Sequence, residues 1–451
     1  MHPRTHHKIT TRSIDYEKPP VNELEYHADF WRNKAQDTLS QKLLEKHNTN
    51  IAKNVIMFLG DGMSIPTLKA SRVYLGQLRN QSGEETVLSF EEFPYIGLSK
   101  TYCVDRQVPD SACTATAYLG GVKNNDATIG VTAAVALQDC DASLLDENRV
   151  MSIGKWSQDK GKRTGFVTTT RVTHASPAGV YAHTADRDWE SDADDVPANC
   201  KDIAYQLIYD DIGSKLNVIM GGGRRNFIPK TLTDEEGDAG KRKDENLIQT
   251  WIKSKEGKNA RYVWNKQDLL NVSNDTEYLL GLFESDHCKY HLDAEDNDPS
   301  LAEMTTKAIE ILSNGNNGYF LFVEGGRIDH AHHDTKAQKA LDETVEFHKA
   351  IQTAVEMTDE EDTLIVVTSD HAHTMSISGY GVRGNNIFGS PGNADDALPY
   401  STLTYANGPG YRKEVDGKRS DTSQDITSKY NQDNNNLRFL TICAASVLNL
   451  K

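Results

Sequence analysis

The sequence predicts an α/β protein, a three-layer sandwich in which helices cover both faces of a large, mostly parallel central sheet. Three observations favour this fold class. Continuous apolar runs of strand length recur along the 451 residues, as in strands buried on both faces. Helical patterns separate these runs, as in sheets built from strand–helix–strand units. Polar clusters follow the runs, and ligands bind at the carboxyl ends of the strands in such sheets.

Five apolar runs are predicted to be buried strands, and each ends in glycine or polar residues. They span residues 54–59, 163–170, 216–220, 319–323 and 363–368. Because parallel strands point the same way, we expect their carboxyl ends to meet at one edge of the sheet.

Helical spacing of apolar residues predicts the layers that cover this sheet. Residues 29–46 read as an amphipathic helix, and a further helix follows from about residue 65. Another helix begins at or beside Ser111, where Asp110 precedes a run of small residues. A long amphipathic helix extends to about residue 357.

The chain is predicted to form one main domain with distinct ends. Residues 1–22 are polar and form a flexible N-terminal arm, and residues 23–428 form the main domain. Within it, residues 379–428 are rich in Gly, Pro, Asn and Asp and form a small, loop-rich, crown-like inserted subdomain. Residues 429–451 form a divergent tail, whose apolar run over 439–450 is too short to span a bilayer.

Composition excludes some functions. The net charge of −17, from 49 Lys and Arg against 66 Asp and Glu, argues against nucleic acid as a partner. Six cysteines without a C-x-x-C pair argue against a zinc finger. An acidic protein that binds a dianionic phosphate needs local positive charge, and metal ions supply it.

The candidate site consists of polar residues where the predicted strands and helices meet. A helix that begins at Ser111 would offer unpaired N–H groups and a partial positive charge to a phosphate. Candidate partners follow the strands and are Asp61, Glu324, Asp329, His333, Asp370 and His371. Each alone could be turn chemistry, and Asp110 or Ser111 could merely cap the helix. Their gathering at one edge of a sheet favours metal ligation.

The chemistry of these side chains divides them among two kinds of cation. Zinc takes histidine nitrogen and carboxylate oxygen, whereas magnesium prefers oxygen ligands. The sets are Asp61, Asp370 and His371 with Ser111 for one zinc, Asp329 and His333 for the start of a second, and Glu324 with a hydroxyl such as Ser176 for magnesium, with Asp61 bridging.

Five motifs, in order, resemble those of the alkaline phosphatase family, most closely its animal, glycosylphosphatidylinositol-anchored branch. They lie at residues 59–63, 109–112, 173–177, 323–333 and 369–373. The resemblance runs from about residue 24 to about residue 426. It implies that the main domain is an alkaline phosphatase-like catalytic domain, which hydrolyses a broad range of phosphate monoesters through a phosphoserine.

The resemblance also implies roles for individual residues. Ser111 resembles the serine that is phosphorylated, and Arg187 the arginine that binds phosphate. The implied metal ligands are Asp61, Asp370 and His371 for one zinc, Asp329 and His333 for the other, and Asp61, Ser176 and Glu324 for magnesium. His174 and His373 are implied to support these ligands without binding a metal themselves. A separate calcium site is implied at the Phe283 carbonyl, Glu284 and Asp298, completed by an acid near Glu236.

Wider properties follow from the same resemblance. It implies a homodimer, embraced by the N-terminal helix, that is extracellular or held at the cell surface by a lipid anchor. It also implies a disulfide between Cys140 and Cys200. Glycosylation sequons begin at Asn80, Asn271 and Asn274.

The sequence departs from the family near its C-terminus. The family has a further histidine there as third ligand of the second zinc, and this sequence has no matching stretch. A signal peptide, an anchor signal and the closing sheet elements are not found either, as in a truncated or alternatively spliced product or an imperfect gene model. We therefore expect the second zinc to bind weakly and hydrolysis to be slow, unless His373 or His332 substitutes.

Alternative functions remain in view. One is a homologue that folds, dimerises or binds phosphate with little turnover. A sulfatase would need x-P-x-R after its nucleophile, and Ser111 is followed by Ala112-Cys113-Thr114-Ala115. Phosphodiesterase relatives favour threonine as the nucleophile, so the serine here argues against them.

Overall fold

The computed structural model describes residues 22–243 and 245–406, and the backbone of residues 446–450. The strands are β1 Asn54–Gly60, β2 Tyr95–Ser99, β3 Arg163–Arg171, β4 Val218–Gly222, β5 Ala260–Val263, β6 Tyr278–Leu282, β7 Tyr319–Gly325, β8 Thr363–Thr368, β9 Met375–Ile377, β10 Gly392–Asn393, β11 Pro399–Tyr400, β12 Leu403–Tyr405 and β13 Ser446–Leu450. The α-helices are α1 Ala28–Leu44, α2 Ile65–Leu78, α3 Ser111–Gly120, α4 Cys140–Ser143, α5 Ile153–Asp159, α6 Ala175–Ala178, α7 Ile203–Tyr209, α8 Leu247–Ser254, α9 Lys266–Leu270, α10 Leu301–Leu312, α11 Arg327–His333 and α12 Ala337–Met357. Short 3-10 helices span Glu23–Tyr26, Ser89–Glu92, Asp146–Asn148, Gly213–Lys215, Arg224–Phe227 and His291–Asp293.

The central sheet has nine strands in the order β2-β13-β8-β1-β7-β3-β4-β6-β5. The seven strands from β8 to β5 are parallel to their neighbours. Strand β13 pairs antiparallel with both β2 and β8 at the other end of the sheet. The predicted large, mostly parallel sheet is therefore confirmed.

Alternate residues of the strands feed two separate cores, one on each face of the sheet. Phe58 of β1 packs in a cluster with side chains of α2, α10 and α12. Its neighbour Leu59 packs on the opposite face with side chains of α3, α7 and α8. Because successive strand residues point to opposite faces, continuous apolar runs are what such a three-layer sandwich requires.

The register of the parallel strands brings their carboxyl ends level. Leu59 of β1 lies beside Glu324 of β7 and Thr368 of β8. On the far side of β7, Glu324 lies beside Thr168 of β3. The chain segments that leave these four strands therefore meet at one edge of the sheet.

The five predicted strands are all present, with bounds that differ by at most two residues. Strand β4 is shifted by two residues and starts at Val218, after the 3-10 turn Gly213–Lys215, and β7 ends two residues later than expected, at Gly325. The sequence analysis did not identify β2, β5, β6 or β13 as strands. Strand β5 is short and lies at the edge of the sheet, so its exposed Arg261 breaks the apolar run.

The two ends of the chain carry the remaining expectations. Residues 1–21 of the predicted arm and residues 407–428 of the predicted insertion lie outside the described residues. Between residues 379 and 406 the chain forms mostly loops with the short strands β10, β11 and β12. Residues 446–450 belong to the predicted divergent tail, yet they form strand β13 of the central sheet.

Helix α1 corresponds to the predicted amphipathic helix over 29–46. None of its 17 residues is buried in the single chain. In the described ranges, no helix combines the length and apolar character that a bilayer crossing needs.

Candidate active site

The edge where the parallel strands end gathers the predicted site residues. Most lie at the end of a strand or the start of a helix, and His333 ends the short helix that follows β7. Their positions are Asp61 after β1, Ser111 as first residue of α3, His174 and Ser176 after β3, Glu324 in β7, Asp329 and His333 on α11, and Asp370, His371 and His373 after β8. All of these side chains are buried or half-buried except that of His333, which is exposed.

Ser111 lies at the N-terminus of α3 with its hydroxyl facing two potential ligands. Its Oγ is 3.3 Å from Asp61 Oδ2 and 3.4 Å from His371 Nε2. Asp110 is the N-cap of the helix and accepts a hydrogen bond from the Cys113 N–H. The capping role foreseen for Asp110 therefore coexists with a serine that is turned toward the acidic cluster.

Arg187 reaches the same spot from the loop that precedes α7. Its Nη1 donates to Asp110 Oδ2 at 3.0 Å, and its Nη2 lies 3.0 Å from His174 Nε2. The guanidinium is thus held on both prongs, and one of its partners is Asp110, the residue before Ser111. A planar fork of this kind suits the oxygens of a phosphoryl group.

Asp61, Asp370 and His371 form the first close group of metal-ligand atoms. His371 Nε2 lies 3.5 Å from Asp61 Oδ1 and 3.4 Å from Asp370 Oδ2. Asp370 is oriented by the backbone N–H of Gly62, which donates to its Oδ1 at 3.0 Å. Gly62 has φ of +66°, and an added Cβ would lie 2.6 Å from His373 Cδ2, so glycine is required at this turn.

A second group consists of Asp61, His174 and Glu324. Thr168 and Thr170 donate to one carboxylate oxygen of Glu324, Oε2. The other oxygen, Oε1, is buried without a hydrogen-bond partner, and so is Ser176 Oγ. Buried polar atoms are normally satisfied, and a hard cation would satisfy both of these oxygens.

The third group consists of Asp329, His333 and His373. His333 Nε2 lies 3.4 Å from Asp329 Oδ2, and His373 Nε2 contacts Asp329 Oδ1. His332 lies outside this group: its Nε2 contacts Thr67 Oγ1 at 2.9 Å and its Nδ1 contacts the Tyr405 hydroxyl at 2.7 Å. Of the two histidines expected to substitute for the missing ligand, His373 is the one that belongs to the third group, and the substitution stays a prediction.

Burial and mutual repulsion shape the electrostatics of these groups. Burial, aided by the charges of Asp370, Asp329 and Glu324, raises the pKa of Asp61 well above its usual value. Burial also raises the pKa of Glu324 to about 7. Concentrated carboxylates of this kind need neutralisation, and divalent cations provide it.

Two further shifts depend on nearby side chains. Burial tends to raise the pKa of Asp329, but His333 and His373 outweigh it and hold that pKa well below its usual value. Burial, followed by the charge of Arg187, lowers the pKa of His174 and keeps the imidazole neutral. Its Nδ1 is buried without a hydrogen-bond partner.

The acids predicted to bind calcium are only partly together. Glu284, which follows Phe283 in the chain, and Asp298 both contact the Lys289 ammonium, at 3.3 Å and 3.2 Å. Glu236 pairs instead with Arg224 at 2.9 Å. The close groups of ligand atoms in the described part of the chain do not include these acids, so the calcium site stays a prediction.

Cysteines and sequons complete the predicted residues. Cys140 and Cys200 are joined in a disulfide, as the resemblance implied. Asn80, Asn271 and Asn274 are all exposed, and their glycosylation stays a prediction.

Sequence reasoning missed three features of the site. Asp110 holds Arg187 as well as capping α3. Thr168 orients Glu324 from the neighbouring strand, and a second disulfide joins Cys103 to Cys113. A strand that runs from apolar residues into three threonines was the available signal for Thr168. The disulfide depends on the path of a loop, which no local pattern reveals.

Comparison with known proteins agrees with the motif resemblance. The alkaline phosphatase family model matches residues 52–441. A membrane-bound alkaline phosphatase of Bombyx mori is 51% identical over 417 residues, which cover 89% of this chain and 76% of that protein. The tissue-nonspecific alkaline phosphatase of Homo sapiens is 49% identical over 419 residues, which cover 89% of this chain and 79% of that protein.

Solved structures show the same fold. The crystal structure of Thermus thermophilus alkaline phosphatase is 26% identical with a TM-score of 0.60 and covers 75% of this chain and 63% of its own. The alkaline phosphatase of the Antarctic bacterium TAB5 is 20% identical with a TM-score of 0.60 and covers 89% of this chain and 91% of its own.

Proposed function

Because the chain belongs to the alkaline phosphatase family, we propose that this phosphatase hydrolyses phosphate monoesters through a phosphoserine at Ser111. The observation that carries this proposal is the position of Ser111 Oγ. It lies at a helix N-terminus within 3.3 Å of Asp61 and 3.4 Å of His371, in a buried and acidic cluster. A capping role alone would not require the serine hydroxyl to lie beside a carboxylate and an imidazole.

The two halves of the reaction use the same residues. Ser111 Oγ attacks phosphorus, and an Oγ–P bond forms while the bond from phosphorus to the alcohol oxygen breaks. The serine hydroxyl gives up its proton, and the leaving alcohol gains one. Water then attacks the phosphoserine, which releases orthophosphate and restores the hydroxyl. Arg187 binds the oxygens of the phosphoryl group in both steps, and the carboxylate of Asp110, next to Ser111 in the chain, holds one prong of its guanidinium.

We propose two zinc ions and one magnesium ion as the cations. Bound there, they would lower the pKa of the attacking hydroxyl and stabilise charge on the attacking and leaving oxygens. The residues that would hold them are Asp61, Asp370 and His371 for one zinc, Asp329, His333 and His373 for the other, and Glu324, Ser176 and Asp61 for magnesium. His174 contacts Arg187 and lies beside the magnesium group.

His373 decides between this function and the alternative of an impaired homologue. With Asp329 and His333 alone, the second zinc would lack a ligand. Catalytic zinc sites use three protein ligands and keep one position open. His373 Nε2 contacts Asp329 and belongs to the same group of ligand atoms. It would supply the missing nitrogen, so we favour turnover over impairment.

The substrate range and the setting of the protein belong to the same proposal. Arg187 and the bound cations would contact only the phosphoryl group of a substrate, which favours broad specificity toward the alcohol. The disulfides favour an oxidising compartment, in line with an extracellular or cell-surface protein held by a lipid anchor. The exposed α1 helix favours a homodimer, since none of its residues is buried in one chain.

Hydrolysis of p-nitrophenyl phosphate by the purified chain, supplied with zinc and magnesium, tests the proposed function. We expect turnover by the parent and a loss of about 1,000-fold or more in Ser111→Ala. Ser390→Ala, at an exposed serine of the loop region, is the matched control and should retain parent activity. Equal turnover by Ser111→Ala and the parent would show that Ser111 is not the nucleophile.

A further inference from the structure

A disulfide lies at the start of the helix that carries Ser111. Cys113 belongs to the first turn of α3, two residues after Ser111, and Cys103 lies in the loop that follows β2. Both side chains are buried, at 2% and 1% exposure. The cysteines are 10 residues apart, so the crosslink encloses the loop that leads into Ser111.

The crosslinked turn is connected to Arg187 through one carboxylate. The backbone N–H of Cys113 donates to Asp110 Oδ1 at 3.0 Å. The other oxygen of Asp110 accepts from Arg187 Nη1 at 3.0 Å. Because Cys113 carries both this N–H and a disulfide sulfur, the crosslink restrains the donor that orients Asp110.

The other end of the crosslink is connected to the backbone of Arg187. The N–H of Val104, next to Cys103, donates to the Asn124 carbonyl at 2.9 Å. Three residues further along, the Ala127 carbonyl accepts from the Arg187 N–H at 2.8 Å. The disulfide therefore closes a ring of contacts that holds both the backbone and the side chain of Arg187.

We propose that the Cys103–Cys113 disulfide is a positioning element for the phosphatase reaction. It holds the first turn of α3 and, through Asp110, keeps the Arg187 guanidinium aligned with Ser111 Oγ. The disulfide touches neither the substrate nor the reacting atoms. This inference rests on the proposed roles of Ser111 and Arg187. Misplacing a positioning group by about 1 Å can lower a rate by about 100-fold.

The Cys140–Cys200 disulfide provides an internal control. It spans 60 residues and packs in a small apolar cluster with Val131, Val135 and Trp189. The Ser143 hydroxyl donates to Cys200 Sγ at 3.7 Å, and Cys140 Sγ lies 3.2 Å from Asn199 Oδ1, so the surroundings of this disulfide are local. A crosslink that closes a longer loop is expected to stabilise the fold more. A purely structural account therefore predicts that losing Cys140–Cys200 is the more damaging change in every assay.

The test compares the double variants C103A/C113A and C140A/C200A with the parent for melting temperature, kcat, KM and inhibition by inorganic phosphate. We expect C103A/C113A to raise the KM and the inhibition constant for phosphate by about 10-fold and to lower kcat. We expect C140A/C200A to lower the melting temperature more while its kinetic constants stay near those of the parent. Parent-like constants in a folded C103A/C113A would overturn the inference.

A double-mutant cycle with Asp110→Asn separates positioning from general loosening. Asparagine still caps the helix but loses the charge that pairs with Arg187. If the disulfide acts through Asp110, C103A/C113A should change phosphate inhibition little further in the Asp110→Asn background. Additive effects would contradict this route.

A second measurement covers the case in which C103A/C113A does not fold. The C140A/C200A protein is treated with a water-soluble phosphine, which reduces a disulfide to two thiols and becomes the phosphine oxide with oxygen from water. Binding of inorganic phosphate should weaken by about 10-fold as the thiols of Cys103 and Cys113 appear. Thiol release with unchanged phosphate affinity would overturn the inference. Absence of turnover by the parent would instead count against the proposed function, because phosphate binding is measured without turnover.

Discussion

The surroundings of single side chains make the strongest case for cations in this site. Glu324 is fully buried, and two threonine hydroxyls satisfy only one of its carboxylate oxygens. Its Oε1 and the nearby Ser176 Oγ have no hydrogen-bond partner. Leaving a buried polar atom unsatisfied costs about 1–3 kcal/mol. An arrangement that destabilises the metal-free chain is therefore well suited to bind a hard cation.

His373 yields a prediction at the scale of one residue. If it is the third ligand of the second zinc, His373→Ala should lower the affinity for one of the two zinc ions by about 10- to 100-fold and leave the affinity for the other unchanged. Competition with a chelator, followed by elemental analysis, measures both affinities. His47→Ala, at an exposed histidine, is the matched control and should bind zinc like the parent.

Two outcomes of the zinc measurement would contradict the ligand assignment. Parent-like binding of both ions by His373→Ala would mean that His373 only orients Asp329. A parent that binds one zinc tightly, with little turnover, would support the impaired homologue instead.

At the scale of elements, helix α12 carries buried acidic side chains that face His291. Asp342, Glu343 and Glu346 are buried on this helix. His291 Nδ1 contacts Asp342 Oδ2 at 2.6 Å, and its backbone N–H donates to Glu343 Oε1 at 2.7 Å. Burial raises the pKa of Glu343 to about 7, from 4.5. The hydrogen bond that His291 donates to Asp342 raises the pKa of His291 above its usual value of 6.5.

Glu343 makes stability depend on pH. A carboxyl with a raised pKa in the folded state binds its proton more tightly there than in the unfolded chain. Its contribution to stability is therefore present below about pH 4.5 and declines as the pH rises through 7. For a shift of this size the loss is ~3 kcal/mol. The stability of Glu343→Gln relative to that of the parent should therefore be greater at pH 8 than at pH 5.

Urea unfolding of both proteins at pH 5 and pH 8 measures this difference. Part of the pH dependence of stability should persist in Glu343→Gln, because the raised pKa of His291 also makes stability fall as pH rises above 6.5. Glu356→Gln, exposed on the same helix, should follow the parent. A Glu343→Gln protein destabilised equally at both pH values would contradict the assignment.

Elements also show what the sequence could predict. Apolar runs such as residues 319–323 in β7 located the parallel strands, because strands buried on both faces are mostly apolar until they reach the edge of the sheet. The same runs located Asp61, Glu324 and Asp370, since each strand end delivers its next polar residue to the same edge. Strand β5 was missed because an edge strand exposes Arg261, and the Cys103–Cys113 pairing was missed because it depends on tertiary contacts of the loop.

At the scale of the whole molecule, the proposed homodimer rests on the exposure of helix α1. Its Leu39 and Leu43 side chains are 52% and 76% exposed and lie four residues apart on one face. An exposed apolar face of this kind is typical of an interface. A homodimer in which α1 packs on a second copy would bury it.

Sedimentation of the parent and of Leu39→Glu/Leu43→Glu measures this assembly. We expect a dimer for the parent and a shift toward monomer for the variant, because two charges would be buried without partners. Asp37→Lys, exposed on the same helix, changes charge without removing apolar surface and should stay dimeric. A monomeric parent across the accessible concentrations would contradict the assembly.

The central claim is that Ser111 takes the phosphoryl group from the substrate. The most direct measurement is mass spectrometry of the peptide containing Ser111, after the zinc- and magnesium-loaded protein is mixed with a phosphate monoester and quenched in acid. The account predicts one added phosphoryl group on Ser111 in the parent and none in Ser111→Ala. Steady turnover by the parent, with Ser111 unmodified or the phosphoryl group on another residue, would contradict it.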